Sequence, residues 1–375
     1  MSEPFPSDKV QQARAYQAIR RRLSLFQLFL TPALLGILLL SGWTFGMRLN
    51  AIAITGGNDW AVVAVYFLLF SLYFLIFDLP LSFYSGFVLE HHFGLSNQSF
   101  GQWLLDLGKK TLLSFALSLA LLEGLYWIIR SDPAHWWLWA WACYAFVSYI
   151  LGKLFPVFIV PLFYKYGKLE DQELEAKILR LAARFNMPVG SVYSLNLSKT
   201  TKKANAAFMG IGKTKRVVLS DTLINQFTHA EIEMVMAHEL GHYKHHDVWR
   251  LLAFGLVASL VAFAAGFWGM GALAASLGLG TAANIAGLPL LFLIFYAVNL
   301  VLMPLTNGYS RKRERAADLF ALEALGGERD VFISCMKKLG EQNLADPEPP
   351  AWYEWFFYDH PSIGKRVAMA EKYEK

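Results

Sequence analysis

Residues 251–310 read LLAFGLVASLVAFAAGFWGMGALAASLGLGTAANIAGLPLLFLIFYAVNLVLMPLTNGYS, sixty consecutive positions without one charged side chain. A helix crosses the roughly 30 Å of bilayer hydrocarbon in about 20 residues, so this run is far too long for one crossing. Gly278, Gly280 and Asn284 near its middle are turn formers. The run is therefore expected to fold as a transmembrane hairpin, with spans at 251–275 and 288–305. Four further apolar stretches of sufficient length precede it, at 23–47, 60–88, 111–129 and 136–164. The expected fold is mainly α, a polytopic helical membrane protein with about six transmembrane helices.

Composition agrees. Of 375 residues, 55% are hydrophobic and 17% charged, and the mean hydropathy is +0.37, whereas soluble domains average about 25% charged residues. A purely soluble enzyme, a disordered chain and a collagen-like chain are all disfavoured. Cys143 and Cys335 are too few for a disulfide framework and read as small apolar side chains. The net charge of +5 could indicate a nucleic-acid partner, but its distribution has another cause. With a cytoplasmic N-terminus, six crossings retain residues 1–22, 89–110, 165–250 and 306–375 on that side, and those segments hold 31 of the 34 Lys and Arg. Nucleic acid is therefore not expected as a partner; the bilayer is.

The first apolar stretch follows about 22 polar residues and lacks a small-x-small cleavage site, so it is expected to be retained as a span. Positions 9–22 suit either a basic amphipathic helix on the membrane surface or a solvated tail. The expected organisation is a tail at 1–22, a four-span membrane domain at 23–164, a cytoplasmic domain at 165–250, the hairpin at 251–308, and helices at 309–375 broken around DPEPPAW. Within 165–250, residues 169–185 have helical periodicity, and 192–197 and 216–219 look like short strands. Thr228 followed by Glu231 fits a capping box, which starts a helix near His229 that runs past His242.

On that helix lies His238-Glu239-Leu240-Gly241-His242, an HExxH. Imidazoles four residues apart share one face and can grip a single zinc ion, with Glu239 beside them placed to act on water. Two solvated histidines on a surface helix are the plainer alternative. A catalytic zinc takes a third protein ligand. The HExxHxxGxxH extension is absent, since position 248 is Val. His245 and His246 are candidates, although Asp247 and the basic context suit a solvated helix end. Glu314 in SRKRERAAD is the better candidate. Glu314 and Asp318 share a helical face; one can bind metal while the other accepts from the outer nitrogen of a ligating histidine. Two crossings between His242 and Glu314 return the chain to the same membrane face.

HELGH, the later Ser310-Arg311-x-x-Glu314-x-x-Ala317-Asp318 and NAAFMG at 205–210 together resemble the integral-membrane zinc CAAX prenyl proteases of the type-1, sterile-24 kind, metallopeptidase family 48. DHPSIGKR at 359–366 and LEHHFGLSNQ at 89–98 extend the resemblance over most of the chain, although SKTTKKA before Asn205 has Lys and Thr where the family often has Arg, Ser and His. The resemblance implies a barrel of transmembrane helices around a large cavity, capped near the cytoplasmic face by a small α+β gluzincin-like protease domain. It implies one Zn2+ held by His238, His242 and Glu314, Glu239 as catalytic base, and Asn205 and Ala206 on an edge strand that pairs with the substrate backbone. His360 and Arg366 resemble residues that stabilise the oxyanion or hold a substrate carboxylate.

Asp78, Glu123, Lys153 and Asn299 fall inside apolar segments and are expected to face protein or water. The function expected from all this is a membrane-embedded zinc metalloendopeptidase whose peptide substrate resembles C-terminally prenylated tails. The alternatives are membrane-protein quality control on unprenylated substrates and, with nothing specific in its favour, a non-hydrolytic transporter or scaffold. The ending EKYEK is not an ER-retrieval signal, which favours a bacterial inner membrane, with both termini and the site on the cytoplasmic side.

Overall fold

A computed structural model describes residues 7–187, 191–209 and 216–374. Helix α1, Ser7–Leu40, is continuous, so positions 7–22 belong to the same helix as the first apolar span. Their helix is not left in solvent: Ala13 and Tyr16 are buried in a cluster with Leu89, Leu95 and Leu344. The chain reverses at Gly42, which adopts a left-handed φ of 76° open to glycine without penalty. The short α2, Trp43–Thr55, then lies against α3, Asp59–Phe83, whose first turn is capped by the Asn58 side chain accepting from the Ala61 N–H. A five-residue π turn carries the chain into α4, Leu89–His92. A Ser99/Gln102 capping box starts α5, Phe100–Ser131, and α6 is Trp136–Leu154.

The soluble segment opens with β1 at Tyr166–Lys168, followed by α7 at Gln172–Arg184 and β2 at Val192–Leu195. Next come β3 at Ala206–Met209, β4 at Arg216–Ser220, α8 at Asp221–Gln226 and α9 at His229–Lys244. Then come α10, Asp247–Leu273, and α11, Leu288–Ala324. The chain ends with α12, Arg329–Gln342, α13, Ala351–Phe357, and α14, Ile363–Glu371.

Among the described residues, six helical segments are long and apolar enough to cross a membrane, at the six places the hydropathy indicates. The uncharged run is the expected hairpin. Gly278 and Gly280 take φ of 70° and 74°, and the Asn284 side chain donates to the Leu279 carbonyl, which closes the turn. A Cβ on Gly266 or Gly269 would fall 2.7 Å from Phe295 or Ile294, so glycine is what lets α10 and α11 approach this closely. Faces of α3, α5 and α6, with Phe263, Phe292 and Phe295, enclose a cavity of about 1170 Å³. Asp78 lines it, as expected of an intramembrane acid, and so does Lys110. Glu123 does not, and its buried Oε2 has no hydrogen-bond partner among the described residues.

The small sheet has strand order β1-β2-β4-β3: β2 and β4 are parallel and the outer pairs antiparallel, so among the described residues β3 is an edge. Beside it, Leu174 and Ile178 of α7, Ile232, Met236 and Leu240 of α9, and Phe332 and Met336 of α12 make one buried core. The capping box at Thr228 and Glu231 is present, and Glu231 also ties α9 to α12 through Ser334 and Lys338. Helix α11 runs past the apolar span without a break, and its extension packs on α9. That single continuous rod positions the site.

Candidate metal centre

Gly241 explains how closely α9 and α11 lie. A Cβ there would sit 3.0 Å from the Ala317 Cα and 3.2 Å from its carbonyl oxygen, and backbone atoms cannot yield as a flexible side chain can. Gly241→Ala is expected to cost about 1–3 kcal/mol, the usual range for overpacking, and to move His242 away from Glu314. A lower Tm together with reduced metal retention is the expected reading; an unchanged Tm and metal content would show that this contact does not set the spacing.

The approach brings His238, His242 and Glu314 together, one ligand atom from each lying within 4.8 Å of the others. His238 Nε2 and His242 Nε2 are 3.2 Å apart. Glu314 places Oε2 3.3 Å from the former and Oε1 3.2 Å from the latter. The outer nitrogens are engaged elsewhere: His238 Nδ1 donates to Asp318 at 2.8 Å and His242 Nδ1 to Asp247 at 3.0 Å. Each ring therefore carries its proton on Nδ1 and turns the lone pair of Nε2 inward. Two lone pairs and a carboxylate converge on one buried point, where Glu314 Oε2 has no hydrogen-bond partner among the described residues. Such a donor set suits a divalent cation.

The electrostatics point the same way. Burial works to lower the His238 pKa, yet the Asp318 carboxylate on Nδ1 and the Glu314 carboxylate beside Nε2 outweigh it and push it up to about 9. His242 is also raised against its burial, chiefly by Glu314. The surroundings thus favour positive charge where the two Nε2 atoms meet.

Asp318, fully buried, is held from behind by Arg366, whose Nε donates at 2.9 Å and whose Nη2 donates to the other oxygen. Arg366 thus stands behind Asp318, with its side chain 11% exposed, rather than in the open mouth of the site. His360 is more open: its Nε2 lies 3.3 Å from Glu314 Oε1 and its Nδ1 donates to Asp359, which raises the His360 pKa. His245 and His246 are not part of the metal-ligating cluster.

Asp247 is the residue that sequence reasoning missed. It reads as a solvated helix end but is 1% exposed, accepting from His242 and paired with Arg313. The left-handed backbone of His246, φ 56°, folds the chain back so that Asp247 faces His242. A non-glycine residue in that conformation leaves no mark in a hydropathy pattern.

Glu239 connects the cluster to the sheet. The Phe208 N–H of β3 donates to its Oε2 at 3.4 Å. The Asn205 carbonyl accepts from the Ser220 N–H and its own N–H donates to Ser220 Oγ, so by antiparallel alternation Ala206 and Phe208 turn their amide groups to the free edge. Asn205 is exposed at the head of that strand and Ala206 begins it; Gly210 of NAAFMG lies outside the described residues. The loop leading into β3 leans on LEHHFGLSNQ: the Leu95 carbonyl accepts from Lys202 N–H and Thr201 Oγ, and Ser96 bridges Thr201. The motif is thus a buttress for the edge strand.

Residues 168–374 match peptidase family M48, and residues 1–165 match the family described as "CAAX prenyl protease N-terminal, five membrane helices". The chain is 33% identical over 312 residues to the "Uncharacterized metalloprotease YhfN" of Bacillus subtilis, covering 81% of this chain and 72% of that protein. It is 30% identical over 346 residues to the "CAAX prenyl protease 1 homolog" of Caenorhabditis elegans, covering 83% and 77%. The crystal structure of S. mikatae Ste24p superposes with a TM-score of 0.85 at 25% identity, covering 97% of this chain and 88% of that one. Matched in both halves, folded alike and carrying a metal-ready cluster on its HExxH helix, the chain belongs to peptidase family M48 and is a multi-pass membrane metallopeptidase.

Proposed function

We propose that this protein is a zinc endopeptidase that cuts peptides near the cytoplasmic membrane face, with C-terminally prenylated tails as its substrate class. One observation carries the chemistry: Glu239 reaches the free edge of β3 from the same helical turns that present His238 and His242 to Glu314. The separations of 3.2–3.3 Å among the inward atoms match zinc, since tetrahedral bonds of about 2.0–2.1 Å hold ligands roughly 3.3 Å apart. His238, His242 and Glu314 would hold the ion, and when bound it supplies the Lewis acidity that activates water and polarises a carbonyl.

The chain's own residues do the rest. The outward N–H and C=O of Ala206 and the outward C=O of Phe208 hold a peptide extended, whatever its side chains, and Asn205 flanks that seat. Glu239 Oε2 takes a proton from the attacking water and delivers it to the leaving amine. His360, raised toward the imidazolium by Asp359, donates from Nε2 to the developing oxyanion. Arg366 acts at one remove, by holding Asp318, which fixes the ring of His238.

In this reading residues 23–164 and 251–308 are the membrane part, and 165–250 with 309–375 the hydrolytic part. The retention of Lys and Arg on one side supports a cytoplasmic site and cytoplasmic termini, in a bacterial inner membrane. Prenyl preference rests on the likeness to relatives named as CAAX prenyl proteases. The test is one peptide sequence offered with and without a farnesyl group to the purified protein, before and after chelation. Chelator-sensitive cleavage of the farnesylated form at the higher kcat/KM is expected. Equal cleavage of both would make unprenylated membrane proteins the substrate class; cleavage that survives chelation would end the metal assignment.

A further inference from the structure

A second cavity, of about 490 Å³, opens at the head of the edge strand, where Tyr16 and Arg20 of α1 meet Thr201, Lys203 and Asn205. We propose that it is the subsite for the free C-terminal carboxylate of the peptide substrate, with Arg20 as the residue that reads it. The proposal rests on the peptidase reading above and deepens it.

The charges there leave a cation in surplus. Arg20 and Lys203 line the cavity; Glu90, which does not, accepts from the Tyr16 hydroxyl and pairs with Lys203 Nζ at 2.8 Å. Lys203 is further held by the Tyr16 hydroxyl at 3.1 Å. Arg20 stands at 3.8 Å from Glu90, beyond hydrogen-bond range, and among the described residues its guanidinium donates no hydrogen bond. Two cations against one anion select an anionic ligand, and a guanidinium fork with free donors fits a carboxylate in two parallel bonds.

The strand supplies direction and distance. Antiparallel pairing is the stronger ladder, and a peptide antiparallel to β3 runs its C-terminus toward Asn205, hence toward this cavity. Phe208 lies beside Glu239 and is three residues from Asn205, about 10 Å at roughly 3.3 Å per residue. The carboxylate would therefore enter the cavity about three residues beyond the bond that Glu239 faces. Glu90, at the start of LEHHFGLSNQ, would then hold Lys203 and Tyr16 in place as the wall of this subsite.

The test uses two farnesylated peptides of one sequence, ending three residues past the cut in a carboxylate or in an amide. The full-length protein is expected to cleave the acid with a kcat/KM roughly 10- to 100-fold higher, the range for hydrogen bonds to a charged group. Arg20→Gln is expected to bring that ratio toward one, and Arg20→Lys to restore part of it. A wild-type ratio near one overturns the proposal, as does an Arg20→Gln variant that slows both peptides equally, the mark of a structural or lipid-facing role. Binding of the two peptides to Glu239→Gln protein, read by fluorescence anisotropy, decides the matter without turnover. If neither peptide is cleaved, the peptidase reading fails, while a preference for binding the acid that Arg20→Gln abolishes would still uphold the subsite.

Discussion

Glu239→Gln is expected to lower kcat by roughly 10²- to 10⁴-fold, the usual contribution of a positioned general base, with zinc content unchanged. The amide is nearly isosteric and its oxygen can still accept from the Phe208 N–H, so the edge strand stays seated against α9. It cannot take up a proton at neutral pH. KM should move little if, as proposed, peptide is held by the backbone of β3 rather than by this side chain. A variant with normal turnover would remove Glu239 from the chemistry; a variant that loses metal as well would show that the substitution disturbs the cluster and leaves the base untested, so metal content is measured first and His242→Ala serves as the metal-deficient reference.

Glu314→Gln should act at the other end of the site. It removes the only carboxylate of the three-residue cluster from a position 6% exposed between two imidazoles. Loss of a partner one bond removed from a metal typically weakens binding about 10- to 100-fold, so loss of charge on the ligand itself is expected to exceed about 100-fold. Two measurements check it. Metal retained after dialysis at limiting zinc should fall, and the rise in Tm that zinc gives the wild type, which follows from mass action on the folded state, should vanish. Recovery of activity at high zinc would show that the fold survives. Unchanged metal retention would move the third ligand elsewhere.

The two variants separate the layers of the site. Glu239 lies on α9 with both histidines, so its relation to them is a matter of helical periodicity. Glu314 arrives from α11, after a membrane hairpin, and its place depends on the packing of two helices at Gly241. Damage to the first is expected to change chemistry alone. Damage to the second, or to the helix contact, changes what can bind.

Much of this was legible in the residues. The uncharged 251–310 run required a hairpin on length alone, and the turn falls at the glycines and Asn284 that mark it. The start of α9 is where Thr228 and Glu231 place it, and four-residue spacing put His238 over His242. Even the pairing of Asp318 with the outer nitrogen of a histidine follows from its spacing to Glu314. These features are local: each depends on a period, a cap or a length within one stretch of chain.

Other features depended on the tertiary structure. That positions 7–22 extend the first span and pack against Leu344, that Asp247 turns back onto His242, that Arg366 grips Asp318, and that LEHHFGLSNQ braces the loop before β3 are contacts between segments far apart in the chain or across a left-handed residue. Hydropathy and spacing describe one element at a time, whereas which faces meet is decided by the close packing of all of them together. The residue types of a metal site were written along the chain; their convergence within 3.2–3.3 Å came from two helices allowed to touch at a glycine.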